Sequence, residues 1–319
     1  MAQPTNTFDA YAAKGIREDL SDLIYRIDPT DTPLTSNIGH GKATAKLHEW
    51  QIQALAAAVD TNAQIEGDDA TANAAVPTSR VGNRTQIAAK TAIVSGTLEA
   101  VNKAGRDSEM EYQVLLKGLE LKRDVEKQML SNKASVTGSS AAASQSAGIE
   151  SWLTTNVSRG ATGASGGFSG GTVAAPTDGT QRAFTEALLK TVHQSAFTAG
   201  GKPSMLFMHP TQKTVFSGFA GIAVNRINQN STTKDQVTII GGADTYVGDF
   251  GNLTAVVSIF MRSRVAILID PKMAKMACLR PMKNWELAKT GDSLKRQILQ
   301  EYTLEVSNEA AHGIVADLT

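Results

Sequence analysis

Between Arg106 and Leu130 the stretch "RDSEMEYQVLLKGLELKRDVEKQML" keeps a helical repeat for about seven turns, and a helix that long with one apolar face must be covered by something. Projected at about 100° per residue, Met110, Val114, Leu115, Gly118, Leu121, Val125 and Met129 share a broad face, while Lys117, Glu120, Arg123, Asp124 and Lys127 lie opposite. One side packs and the other is wetted. Glu109 and Glu111 near the start and Lys127 near the end suit the helix dipole. Gly118 costs about 1 kcal/mol relative to Ala inside a helix, so its place in the apolar stripe predicts close approach of another backbone.

The segments around this helix are not those of a simple globule. Ile16, Leu20, Leu23, Ile24 and Ile27 have helical spacing, and "DPTDTP" at 28–33 stops that helix, because proline lacks a donor and restricts the residue before it. "SNIGHGKATAKLHEW", Ser36 to Trp50, has the look of a phosphate cradle, but the glycine four residues before Gly-Lys is missing and Ala43 follows Lys42. It reads as a turn leading into an extended segment, Lys46 to Ala54. Ala, Asn, Thr and Asp then dominate up to Gln86, an excursion with an acidic tip at Glu66, Asp68 and Asp69. The β-rich return, Thr85 to Val101, completes a long hairpin.

Residues 138–180 hold nine of the 27 glycines, and Glu150, Arg159 and Asp178 are their only charges. Such a composition predicts a mobile loop unless neighbouring chains hold it. Beyond it a mixed region resumes: a helix through Phe184, Leu188, Leu189 and Val192, a buried strand in "SMLFMHP", a hairpin turning at Gly251-Asn252, and strands "RVAILIDP" and "KMACLRP", each closed by its proline. The tail from Trp285 reads as strand, Thr-Gly-Asp turn, long strand, turn and final strand. The class is α+β, with strands that are mostly not βαβ-linked.

Chemistry finds little support. "GASGG" places Ser165 in a G-x-S-x-G pattern, yet neither the buried strand nor the helix that would lift a nucleophile flanks it. His40, His48, His193, His209 and His312 show no metal spacing, and Cys278, the one cysteine, reads as a small core residue in an apolar strand. No cofactor, metal or catalytic residue is expected. Lys plus Arg and Asp plus Glu both number 31 in the 319 residues, which argues against a dedicated nucleic-acid binder. The sequence shows neither a signal peptide nor an apolar run of membrane length. The competing reading is a cytoplasmic hydrolase or nucleotide-binding enzyme built on Ser165 or Lys42.

An arm, a long hairpin and a glycine-rich excursion are devices for reaching other subunits. "REDLSDLIYRIDPTDTPL" running into "HEWQ", the tip "EGDDA", the long helix and the closing "NWELAKTGDSLKRQILQEYTLEVSNEAAHGIVADL" resemble the major capsid proteins of tailed bacteriophages with the Hong Kong 97-type, or HK97-like, fold. The resemblance implies an N-terminal arm (1–45), an E-loop hairpin (46–101), a spine helix in the P-domain (102–137), the inserted segment (138–180), an A-domain (181–281) and C-terminal P-domain strands (282–319). Gly39 to Lys42 would be the bend from arm into hairpin. A cleaved N-terminal scaffold and chemical crosslinking are not implied.

Also implied are pentamers and hexamers of the chain itself, forming an icosahedral shell around double-stranded DNA held by weak non-specific contact, in a virion assembled in the bacterial cytoplasm. Scaffolding, portal and decoration proteins are the further partners. The expected intersubunit contacts are Glu66, Asp68, Asp69, Arg80 and Arg84. Met110, Val114, Gly118, Leu121 and Val125 are the expected packing face of the spine helix.

Overall fold

The computed structural model describes residues 28–69, 72, 74–219 and 243–319. The apolar repeat from Ile16 to Ile27 lies outside them. The long helix, α3 (Glu109–Met129), starts where Ser108 turns its hydroxyl to accept the Glu111 amide at 3.2 Å. It lies on a four-stranded sheet in the order β1 (Gly39–Lys42), β12 (Ala274–Glu286), β13 (Ser293–Val306), β4 (Gln86–Ser95). Met110 packs on Ala92 and Val94 of β4 with the half-buried Val114 and Leu294, and further along Val125 and Met129 join the main core with Tyr302 and Leu304.

Two details of the helix differ from the projection. Leu115 is exposed, because it lies about 40° outside the arc that runs from Met110 to Met129. At Gly118 the nearest atom to an added Cβ would be Ile298 Cδ1 at 3.8 Å, a side-chain tip at ordinary distance, so no backbone comes close. The polar side also holds a surprise: Glu126 is fully buried and accepts the Leu34 and Thr35 amides at 2.6 and 2.9 Å. It thereby satisfies the start of the short helix α1 (Pro33–Asn37), while its burial raises its pKa.

The hairpin is shorter than its sequence suggests. β2 (Leu47–Ile52) pairs antiparallel with β3 (Ser79–Arg84), in register from Leu47 against Arg84 to Ile52 against Ser79. The return leg from Gln86 does not continue that pairing; β4 goes to β13 instead, where Ala92 and Val94 are buried under α3. Helix α2 (Gly96–Ala100) ends it. Gly39 to Lys42 is no bend either: it is β1, parallel to Lys275–Cys278 of β12, and the chain bends after it at Ala43–Lys46. A local Gly-x-Gly reads as turn chemistry, but the open edge of β12 offers its backbone a ladder partner.

Pro281 does not end its strand. β12 runs through it with register shifts between Cys278 and Arg280 and between Arg280 and Lys283, where a residue without an amide donor is tolerated. Cys278 on this strand is half-buried rather than enclosed, with Gln300 Nε2 at 3.6 Å from its sulfur.

The second sheet has six strands in the order β5 (Val157–Ser158), β14 (Gly313–Ala316), β11 (Val265–Ile269), β8 (Met205–Met208), β10 (Gly251–Val257), β9 (Thr245–Gly248). The tail strand β14 thus leaves the layer of β12 and β13, because every residue of β14 and β11 is buried and only a sheet covered on both faces accommodates such runs. One face carries Phe207, Ile267, Ile269 and Ile314 into the core shared with α3. The other carries Leu206, Met208, Ala266, Leu268 and Val315 beneath α5 (Glu186–Thr198) and α6 (Pro210–Ser217). The β9–β10 hairpin turns at Asp249-Phe250, two residues before the expected place, and Gly251 opens β10 at a φ of 135° that only glycine adopts readily.

The glycine-rich span is ordered within the chain itself, by α4 (Ile149–Trp152), by β5 and by a small hairpin of β6 (Gly167–Ser169) and β7 (Thr172–Ala174). Ile149, Trp152, Leu153 and Val173 are part of the main core, so no neighbouring chain is needed to hold it down.

Two substitutions on α3 separate its packing from its propensity. Leu121→Ala removes a side chain that is 1% exposed and is expected to cost about 2–5 kcal/mol in urea denaturation of the subunit. Gly118→Ala meets no clash and is expected to gain up to about 1 kcal/mol in the same measurement.

Candidate assembly site

From Gln53 to Arg80 every described residue is exposed. Its described residues form no strand before Ser79, and they include Leu55 at 97% and Ile65 at 78% relative exposure. These are apolar side chains in open water on a polar excursion. Glu66, Asp68 and Asp69 crowd the tip around Gly67, which takes a φ of 82° with open space about it. Gln53 Nε2 donates to Val76 O at 3.0 Å and ties the two sides of the loop above the strands.

The two arginines also expected at intersubunit contacts sit elsewhere, at the root on β3. Arg80 pairs with Glu49 across the hairpin at 3.2 Å, and the buried Arg84 Nε has no hydrogen-bond partner among the described residues. Acids and arginines of one chain are therefore at opposite ends of the excursion.

A groove of about 330 Å³ opens between α1, α3 and the β12–β13 pair, lined by Thr35, His40, Lys122, Met276, Met282 and Gln300. Its floor is apolar at the methionines and its rim is basic at the exposed Lys122. No pattern in the sequence joins these residues, which come from five elements, α1, β1, α3, β12 and β13.

The inserted segment is pinned by carboxylates. Asp317, just beyond β14 and 1% exposed, accepts the Gly160 and Gly179 amides at 3.0 and 2.7 Å and pairs with Arg264 at 3.0 Å. Burial would raise its pKa, but those donors hold it below the ordinary carboxylate value. A Cβ at Gly160 would lie 2.0 Å from Thr180 O and one at Gly179 2.6 Å from Gly163 N, so these glycines serve close packing of backbone on backbone. Glu150 reaches Arg262 at 2.9 Å, and Asp178 bonds the same guanidinium. Arg159 donates to Ser165 Oγ at 3.1 Å, so the hydroxyl of the G-x-S-x-G pattern is engaged by a guanidinium rather than a base. All three charges of the segment are thus used in one cluster, and their isolation in an uncharged stretch was the available signal.

The remaining candidates are structural. Lys42 sits on β1, and His48 is bonded to Glu305 at 3.0 Å. His312 is enclosed, accepts the Asp270 amide at 3.1 Å, and is pushed by burial down to about 4. Among the described residues no three His, Cys, Asp or Glu side chains could hold a metal ion, and no helix is long and apolar enough to cross a membrane.

Burial pushes Glu150 up to about 7, against the opposing pull of Arg262. The folded chain therefore binds a proton that the unfolded chain, with its value of 4.5, releases earlier, and the Glu150 contribution to stability falls as pH rises from about 4.5 to 7. The slope is at most roughly 1.4 kcal/mol per pH unit. Glu150→Gln is expected to lose less stability than the parent across that interval, in urea melts at successive pH values; equal slopes would refute the assignment.

With this geometry in view, the chain can be set beside known proteins. A major capsid protein of Escherichia phage Phieco32 is 27% identical over 357 residues, covering 99% of this chain and 97% of that one. Among solved structures, a chain of Gordonia phage Cozz superposes with a TM-score of 0.62 at 11% identity, covering 99% of this chain and 97% of that one. The capsid asymmetric unit of Cyanophage A-1(L) gives 0.63 at 11% identity, covering 98% of both. A structure of Phage G gp27 major capsid proteins and gp26 decoration proteins gives 0.56 at 11% identity and full coverage of both chains. These likenesses show the fold, which is the HK97-like capsid fold. The match to the family described as SU10 major capsid protein runs from residue 3 to residue 319, and the chain belongs to that family.

Proposed function

We propose that this phage major capsid protein tiles an icosahedral shell as hexamers and pentamers, and that the β2–β3 excursion is the clamp between subunits. On this reading α3 with the four-stranded sheet is the P-domain and the six-stranded sheet is the core of the A-domain. The observation that carries the clamp is the full exposure of every described residue from Gln53 to Arg80, apolar Leu55 and Ile65 included, on a segment too polar and small to fold alone. The groove under α1 on the adjacent subunit fits the tip in chemistry: Met276 and Met282 for Ile65, and Lys122 for the acids. Each exposed ion pair is worth only about 0–1 kcal/mol. Repetition around a closed shell multiplies such small terms, because every subunit makes the same heterologous contact.

The shell has no catalytic task, and it holds double-stranded DNA by weak contact, in keeping with equal numbers of acidic and basic residues. Assembly takes place in the host cytoplasm, with scaffolding, portal and decoration proteins as further partners.

Replacing Glu66, Asp68 and Asp69 together by Lys is expected to leave circular dichroism unchanged but to block or loosen shells, more severely at low salt where repulsion is unscreened. Sedimentation and negative-stain microscopy at two ionic strengths read the outcome, and normal shells at low salt would remove the clamp. Unassembled subunits are expected to show no submicromolar affinity for random duplex DNA in a salt titration.

A further inference from the structure

The inserted segment touches the hairpin at its root. Trp50 on β2 packs against Trp152 of α4 with ring centroids 5.3 Å apart, and Trp152 stacks on Phe168 of β6 at 6.0 Å with the ring planes 2° apart. His48, two residues earlier on the same face of β2, lies 5.8 Å from Trp50 and is tied to Glu305 of β13. On the partner strand Asn83 is fully buried: its amide donates to Leu304 O at 2.8 Å and Ala147 O at 3.3 Å, and its carbonyl accepts the Ala147 amide at 2.9 Å. Ser144 Oγ donates to Thr85 O at 2.7 Å, and the Ser146 amide donates to Gln86 Oε1 at 3.2 Å.

The same short helix faces two ways. Glu150 of α4 is held by Arg262 at the margin of the six-stranded sheet, while Trp152 of α4 holds the hairpin root. A two-stranded hairpin is marginal in water by itself, so its direction is set by whatever its root packs against. Among the described residues the buried indole N–H groups of Trp50 and Trp152 have no hydrogen-bond partner.

We propose that α4 and the β6–β7 hairpin are a latch that sets the angle at which the β2–β3 hairpin leaves the subunit, and through it the curvature of the shell. The effect on curvature rests on the reading of the hairpin as the clamp; the latch within one subunit does not.

Phe168→Ala removes the outermost ring, which is only half-buried, and Trp50→Leu shortens the ladder from the hairpin side; the pair guards against one variant failing to fold. Subunits of each that keep the parent circular dichroism are expected to exchange the backbone amides of Leu47–Ile52 and Ser79–Arg84 about tenfold faster. Their particles are expected to spread in radius by electron microscopy. Parent-like exchange at the root in a folded variant overturns the latch. Faster exchange with particles of uniform parent size upholds the latch and overturns its link to curvature. Failure of the parent chain to form closed particles counts against the clamp, while the exchange measurement still decides the latch.

Discussion

The carboxylate of Asp317 is the contact on which most of the molecule's unusual architecture hangs. It sits in the left-handed region at a φ of 61°, immediately beyond β14, and gathers two backbone amides and a guanidinium from three stretches of chain. An ionised carboxylate taken out of water is tolerated only when its lone pairs are met, and here each donor that meets them also fixes a piece of the glycine-rich segment. Gly160 and Gly179 close over it, Arg264 anchors it at the start of β11, and Glu150 and Asp178 share Arg262. That cluster holds the later part of the segment, while the apolar side chains of α4 and β7 and the bonds of Ser144, Ser146 and Ala147 to the hairpin root hold the earlier part.

From this anchor the order of dependence runs outward. The segment positions α4, α4 presents Trp152, and Trp152 meets the hairpin at Trp50. On the opposite side Glu126 closes α1 against α3, which shapes the groove that Lys122 borders. The surfaces read as donor and acceptor of the clamp thus both depend on buried carboxylates, Glu126 directly beside the groove and Asp317 through α4. A capsid subunit has to be rigid at the root of its reaching elements and open at their ends, and the contrast between fully buried Asn83 and fully exposed Leu55 on one hairpin shows that gradient.

Periodicity and composition by themselves determined a good deal. The long helix was legible because its apolar positions recur every three to four residues for about seven turns, and the exposed acidic tip because nothing near it could bury surface. The element order was enough to point to a capsid subunit. What only the tertiary structure decided are the pairings between distant segments. Gly39–Lys42 became a strand, Gln86–Ser95 left its expected partner for β13, β12 passed through Pro281, and Gly313–Ala316 moved to the other sheet. Local sequence states which backbone conformations are cheap, whereas the edge that satisfies a strand's amides is supplied by residues far along the chain, Lys275–Cys278 for β1 and Ser293–Tyr302 for β4. Glycine shows the difference most directly: composition reads nine of them as freedom to move, and the packed chain uses Gly160 and Gly179 as the only residues small enough for two backbones to meet around a buried carboxylate.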